Sequence, residues 1–201
     1  MIENAARMAG MPVGPLSLND EIAIDLSHKI LHQTINDLGE KAVDPRHVEL
    51  VDTMVEKHGR LGRKNSKGFY DYPDKPAKKH LWPGLKDMYP QKASDEVDVA
   101  ELQNRLHAII ALEASRCVEE GVVTDMREAD VGSILGFGFA PFTGGAISYI
   151  DRHGSKAFVA MCDEFAKKYG PQFKVNKLLS EMAKNDELFY GRFGTNSEKA
   201  A

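Results

Sequence analysis

The chain has 201 residues, 42% of them hydrophobic and 28% charged, with a formal net charge of −4. That balance supplies a buried core and excludes a disordered tail, a collagen-like repeat and a disulfide-knit scaffold. A weakly acidic chain has no sequence-wide electrostatic reason to bind nucleic acid, and no stretch approaches the roughly eighteen apolar residues that cross a bilayer.

Along the chain, Met1 to Gly10 carries Glu3 and Arg7 in a helical pattern and lacks the apolar run of a secretory signal. Ser17 stands three residues before Asp20, a capping-box spacing that predicts a helix start. Leu18, Ile22, Leu26, Ile30, Thr34 and Leu38 then fall on one face, and Gly39 supplies the stop. Asp44 and Pro45 predict the next helix, with Val48, Val51, Met54, Val55 and His58 on its apolar face and Gly59 at its end. Between residues 59 and 93 the helical period fades, and Pro73, Pro76, Pro83 and Pro90 mark a linker over 73–93, partly ordered by Phe69, Tyr70, Tyr72, Leu81 and Trp82. Ser94 is read as the cap of a long helix whose stripe is Val99, Leu102, Leu106, Ile109, Ile110, Cys117 and Val118. Asp125 to Glu128 opens a short helix ending at Gly136, and a glycine-rich segment runs from Leu135 to Gly145. Ser155 starts a helix with the face Phe158, Cys162, Phe165 and Tyr169, and a last one uses Val175, Leu178, Leu179 and Met182. The tail over 194–201 is expected to fray.

A shift of 126 residues places Gly10 on Gly136, Pro15 on Pro141, Ile24 on Ile150 and Asp25 on Asp151. Glycine and proline fix backbone geometry, so the match points to one turn used twice. The long helix at 94–120 would then have its first-copy counterpart before Met1. The first copy is expected to be truncated at its N-terminus, and a helical unit without its longest helix exposes an apolar face. Gly136 and Pro141, as turn residues, are expected to matter for stability.

The chemistry-bearing motifs are incomplete. Gly136-Phe137-Gly138-Phe139-Ala140-Pro141 lacks the third glycine and the preceding strand of a dinucleotide loop. The basic run from Arg60 to Lys67 suits either a phosphate-bearing ligand or a solvated turn with a docking aromatic pair, the reading preferred here. His28 and His32 have i, i+4 spacing but no third ligand at a telling distance in sequence. Cys117 and Cys162 stand in no ligand-like spacing and read as reduced, buried thiols of an intracellular protein. No complete catalytic set is present, so no catalytic, cofactor or metal residue is assigned from the residues.

Three segments together resemble a known family. Gly10-Met11-Pro12-Val13-Gly14-Pro15-Leu16, continuing through Asp20, Glu21 and Asp25, resembles the C-terminal domain of 3-hydroxyacyl-CoA dehydrogenases. Gly62 to Tyr70 is similar to the turn ending that domain, and Leu135 to Asp151 resembles the second copy in the multifunctional hydratase/dehydrogenase α subunits of fatty-acid oxidation. The resemblance implies an all-α fold of two tandem repeats of the 6-phosphogluconate-dehydrogenase C-terminal-like type. Their expected spans are 1–72, truncated, and 94–193. It also implies a parent enzyme that oxidises L-3-hydroxyacyl-CoA with NAD, through a His–Glu pair on an N-terminal dinucleotide-binding domain that these residues lack. The family's substrate-polarising asparagine would precede Met1. Asn104, thirty-seven residues before Pro141, is its second-copy counterpart and inherits no role.

The expectation is therefore a C-terminal fragment that binds no NAD, is inactive alone and closes one side of an acyl-CoA cleft. Met11, Val13, Gly14 and Pro15 would lie near the acyl chain, and the second copy would pack on the first as a pseudo-symmetric partner. The expected partners are the missing domain, the acyl-CoA substrate and a homo-oligomer, with no nucleic acid. The expected compartment is the cytoplasm, or the mitochondrion for a eukaryotic parent. The alternatives are a stand-alone helical binding or dimerisation module and, more weakly, the helical domain of another β-hydroxyacid dehydrogenase.

Overall fold

A computed structural model describes residues 1–194, apart from the Ser94 side chain. The expected frayed tail lies outside these residues except for Gly194. The regular structure of the described residues is almost all helical, and they fall into two compact units. Met1–Glu3 and Val13–Val97 form the first, and Asn4–Pro12 joins Asp98 onward in the second. The N-terminal helix α1 (Ile2–Met8) contributes residues to both.

The first unit contains α2 (Pro15–Ile22), α3 (Ile24–Leu38) and α4 (Pro45–Asp52), which runs on into a π-helical turn, Thr53–Lys57. The single helix expected from Ser17 to Leu38 is interrupted at Ala23, whose φ of 86° breaks the α-helical run. Helix α2 starts earlier than expected, with Gly14 as its cap and Pro15 in the first turn. Asp44 caps α4 as the sequence suggests, accepting a hydrogen bond from Arg46 N at 2.9 Å. The core is Ile24, Leu31, Val51, Met54 and Phe69. Along the 18–38 stripe, Leu18, Ile22, Leu26, Ile30 and Leu38 are all exposed, Leu38 to 74%.

The expected linker, residues 73–93, belongs to the first unit. Strand β1 (Tyr70–Asp71) pairs antiparallel with β2 (His80–Leu81). Trp82, and Leu85 at the start of the short helix α5 (Leu85–Met88), pack on the core. Burial of these side chains explains why so proline-rich a stretch is ordered.

The second unit is built on α6 (Val99–Glu119), α7 (Met126–Phe137), α8 (Ala146–His153), α9 (Ser155–Tyr169), α10 (Lys177–Asn185) and α11 (Phe189–Phe193). Asp98, not Ser94, caps α6, accepting from Glu101 N at 2.9 Å. The buried face of α6 is His107, Ala108, Ala111, Leu112, Ser115 and Val118. Most of the expected stripe is only half-buried beside it, because the small side chains admit the closest packing. Phe158, Cys162 and Phe165 of α9 enter the core as expected. Cys162 is fully buried, which pushes its thiol up to about 12 and leaves it unreactive at neutral pH.

The two units share matching helix lengths. Helices α2 and α8 have eight residues each, and α3 and α9 have fifteen each. Gly14 precedes α2 as Gly145 precedes α8, and Gly39 ends α3 as Gly170 ends α9. These pairs, with Ser17 and Ser148 and with Asp20 and Asp151, stand 131 residues apart, not 126. The shift of 126 places Pro15, at the start of α2, on Pro141, which opens a separate 3-10 turn before α8.

Gly136 and Gly145 therefore have different burdens. A Cβ on Gly136 meets nothing within 4 Å, whereas one on Gly145, at φ +123°, lies 2.4 Å from Asp130 Cβ and Oδ1. Contrary to the sequence expectation for Gly136, the Gly136→Ala variant gains about 0.5–1 kcal/mol from helix propensity. Gly145→Ala loses more than about 2 kcal/mol through backbone strain and the collision. Chemical denaturation of both variants checks the contrast.

Candidate functional site

In each unit, buried or half-buried carboxylates hold backbone N–H groups that no helix satisfies. Asp20, fully buried, accepts from Phe69 N at 2.7 Å, Tyr70 N at 2.9 Å and the Tyr72 hydroxyl at 3.0 Å. Burial and this carboxylate push the Tyr72 phenol upward. Asp151 accepts from Phe189 N at 2.8 Å and Tyr190 N at 3.0 Å, and burial raises its own pKa. Glu3 accepts from Leu16 N at 2.6 Å and from the Ser17 hydroxyl at 2.8 Å. Asp130 does the same for Ile147 N at 2.8 Å, and accepts from Ser148 N at 3.0 Å and the Ser148 hydroxyl. These four carboxylates are committed to the fold.

Of the residues expected near the acyl chain, Met11 belongs to the second unit and Val13, Gly14 and Pro15 to the first. Met11 is half-buried in the second unit, while Val13 is 39% exposed in the first. Gly14 is buried because a Cβ there would lie 2.3 Å from Glu3 Oε2, so its lack of a side chain makes room for the carboxylate. Pro15 takes the first turn of α2.

The basic run is largely neutralised from within. Arg60, only 5% exposed, donates Nε to Gly68 O at 2.6 Å, pairs with Asp71 and lies 4.3 Å over the Trp82 ring. Arg63 pairs with Glu21 at 2.6 Å and Lys64 with Asp25, which holds the Asp25 carboxyl below its ordinary pKa. Asn65 donates to Gly59 O at 2.8 Å and accepts from Leu61 N at 3.2 Å, closing the turn. The run is thus a structural turn with docked aromatics, not a phosphate grip.

The second unit contains a cleft of about 310 Å³ whose polar lining includes Asn104, His107, Tyr149, Arg152 and His153. His107 Nε2 donates to Ala9 O at 2.8 Å, which leaves Nδ1 without the proton in the neutral ring. Burial lowers the His107 pKa and keeps the ring neutral. The Tyr149 hydroxyl donates to Asn104 Oδ1 at 3.3 Å and is pushed up to about 12 by burial. His153 Nδ1 donates to Tyr149 O at 2.8 Å. No carboxylate lines this cleft. It can orient a small polar group but holds no histidine–carboxylate pair for proton abstraction.

The glycine-rich segment after α7 does not have the form of a dinucleotide loop. Gly136 and Phe137 end α7, Gly138 is its left-handed cap, and Phe139 is buried in the core, so no strand leads into the segment. A meeting of side chains from α3, the end of α4 and the π-helical turn after it is not evident from sequence. Asp52 and Glu56 come within hydrogen-bond range of His28 and His32. Their own i, i+4 spacing was the available signal.

This all-α architecture, with its glycine-led α2 and its carboxylate-held turns, is that of a helical domain and not of a nucleotide-binding one. Comparison with known proteins gives the family. Residues 1–72 match the model of the 3-hydroxyacyl-CoA dehydrogenase C-terminal domain. The fatty acid oxidation complex subunit alpha of Vibrio parahaemolyticus is 37% identical over 185 residues, covering 90% of this chain and 25% of the relative. The corresponding Vibrio vulnificus subunit is 35% identical over 193 residues, covering 94% of this chain and 26% of the relative. The chain thus spans about a quarter of the length of these relatives. Among solved structures, 3-hydroxybutyryl-CoA dehydrogenase from Escherichia coli K12 matches with a TM-score of 0.63 at 19% identity, over 92% of this chain and 54% of that one. The dehydrogenase part of multifunctional enzyme 1 from C. elegans matches with a TM-score of 0.60 at 21% identity, over 90% of this chain and 41% of that one. These two establish likeness of fold. Residues 1–72 are a C-terminal 3-hydroxyacyl-CoA dehydrogenase region.

Neutral, buried His107 gives a pH dependence with a definite sign. Its folded pKa lies below the ordinary histidine value of about 6.5, so as pH falls through that value the unfolded chain takes up a proton that the folded chain resists. His107 therefore lowers stability progressively from about pH 6.5 toward its folded pKa. Denaturation midpoints between pH 7.5 and 5 (roughly the window in which an ordinary histidine titrates) should fall less in His107→Gln than in the parent chain.

Proposed function

We propose that this chain works as the C-terminal helical part of an NAD-dependent L-3-hydroxyacyl-CoA dehydrogenase of fatty-acid β-oxidation. In this reading it shapes one side of the acyl-CoA cleft and supports domain assembly. The carrying observation is the family match over residues 1–72, continued as 37% identity to a fatty acid oxidation α subunit over 90% of the chain. The bacterial relatives favour a cytoplasmic setting. Among the described residues no helix is long and apolar enough to cross a membrane.

The chemistry is divided accordingly. Nicotinamide binding and the proton-abstracting pair belong to a dinucleotide-binding domain outside these residues, and this chain binds no NAD itself. Its own contribution is shape and exclusion of water. Met11 and Val13 supply apolar contact to the acyl chain, while Gly14 and Pro15 fix the turn that presents them. The exposed side chains Leu18, Ile22, Leu26, Ile30 and Leu38 support an assembly role, since so many large apolar side chains on neighbouring helices are costly to leave in water. The two units are, in this reading, copies of one helical motif, as the matched lengths of α2 with α8 and α3 with α9 support.

A chimera tests the reading. The Vibrio parahaemolyticus subunit, with its matching quarter replaced by this chain, should oxidise NADH with acetoacetyl-CoA, and the chain alone should not. Val13→Glu in the chimera should raise KM for long acyl-CoA substrates more than it lowers kcat. A folded but inactive chimera, or turnover by the chain alone, contradicts the proposal.

A further inference from the structure

The first unit brings together a set of ligand atoms that the dehydrogenase reading does not use. His28 and His32 lie one turn apart on α3, with ring centroids 4.4 Å apart. Asp52, at the end of α4, and Glu56, in the π-helical turn that follows, lie one turn apart on the facing segment. Asp52 Oδ1 is 2.9 Å from His32 Nε2 and 3.4 Å from His28 Nε2, and Glu56 Oε1 is 3.2 Å from His28 Nε2. One ligand atom from each of the four residues lies within 4.8 Å of every other.

We propose that His28, His32, Asp52 and Glu56 form a binding site for a divalent transition-metal ion, with zinc as the ion best matched to the donors. Two imidazole nitrogens and two carboxylate oxygens are a recognised zinc donor set, and bond lengths of about 2.0–2.2 Å give a tetrahedron with edges of about 3.3–3.6 Å. The three separations, 2.9, 3.2 and 3.4 Å, are close to such edges, so small side-chain rotations open the space for an ion. The two pairs of donors come from two packed segments, and the i, i+4 spacing on α3 points His28 and His32 to one side. The π-helical turn widens the backbone where Glu56 must reach inward, a distortion often found at functional positions.

Exposure grades the ligands. The His28 and Asp52 side chains are 21% and 30% exposed, and that of Glu56 is 65% exposed. An ion can enter from solvent without unfolding, and Glu56 is the ligand most readily exchanged for water. A bound ion would tie α3 to the segment after α4, on the same helix that carries the exposed residues Leu26, Ile30 and Leu38. Its expected role is to fix that helix.

The experiment is a titration of the EDTA-stripped full chain with Zn²⁺ by calorimetry and with Co²⁺ by visible absorption. The expected result is one saturable site, intense tetrahedral Co²⁺ bands and a melting temperature that rises with Zn²⁺. His32→Ala should weaken binding at least roughly tenfold. Glu56→Gln, on the most exposed ligand and with little risk to folding, should weaken Zn²⁺ binding and change the Co²⁺ bands. His47→Ala, outside the cluster, should behave as the parent chain. No saturable binding, or binding that survives both His32→Ala and Glu56→Gln unchanged, would reduce the cluster to ordinary histidine–carboxylate hydrogen bonds and overturn the proposal.

Discussion

A buried carboxylate that accepts backbone N–H groups is the interaction on which both units depend. Asp20 sits on α2 with no exposed surface, yet it holds Phe69 and Tyr70, residues some fifty positions later in the chain. Burying a carboxylate costs several kcal/mol unless its oxygens are satisfied. Two backbone donors and the Tyr72 hydroxyl satisfy them, and each charge-assisted bond contributes about 1.5–3 kcal/mol. Once Phe69 is fixed by its backbone, its ring completes the core with Ile24, Leu31, Val51 and Met54. The long segment after α4 is therefore ordered by polar bonds made at one point and by apolar packing that follows from them. Asp151 repeats the arrangement with Phe189 and Tyr190, at the corresponding place on α8.

The same logic explains the glycines that matter. Glu3 and Asp130 each accept from the first turn of a helix, at Leu16 and Ser17 in one unit and at Ile147 and Ser148 in the other. A carboxylate can approach so closely only if the residue before the turn has no side chain. Gly14 and Gly145 provide that space. The resemblance seen in the sequence around Gly14-Pro15 thus has a physical basis, a helix start built to receive a carboxylate. That constraint suffices to account for Gly14 and Pro15, while Met11 and Val13 carry side chains that this arrangement does not require.

Much of this was legible in the sequence, and the failures have identifiable causes. Helix ends marked by proline, aspartate and glycine were readable because those residues act locally, as at Asp44-Pro45 and Gly39. The register of the internal match was not, because Pro15 and Pro141 look alike as letters while opening an α-helix and a 3-10 turn. Ser17 and Ser94 resembled caps, but Ser17 donates to Glu3, and Asp98 takes the cap of α6. The ordering of residues 73–93 depends on Trp82 and Leu85 reaching a distant core, which local composition does not reveal. The ligand quartet shows the same limit. Each i, i+4 pair is visible in sequence, but only the packing of α3 against α4 makes them one cluster.

Hydrophobic period identifies a face without saying what covers it. Leu18, Ile22, Leu26, Ile30 and Leu38 repeat as a core stripe would, yet the core of the unit is assembled from Ile24, Leu31 and the side chains of later segments. Helix α3 is thus apolar on two sides, one buried within the unit and one open. A helix of a self-contained surface layer needs only one apolar side. Side chains of the size of Leu38 and Ile30 each forgo about 1.5–3 kcal/mol while they remain in water. The second apolar side is unnecessary for folding of the unit itself, so its composition reflects an additional demand on α3. The assembly role proposed for this helix would account for both sides at once, whereas a purely internal structural role accounts only for the buried one.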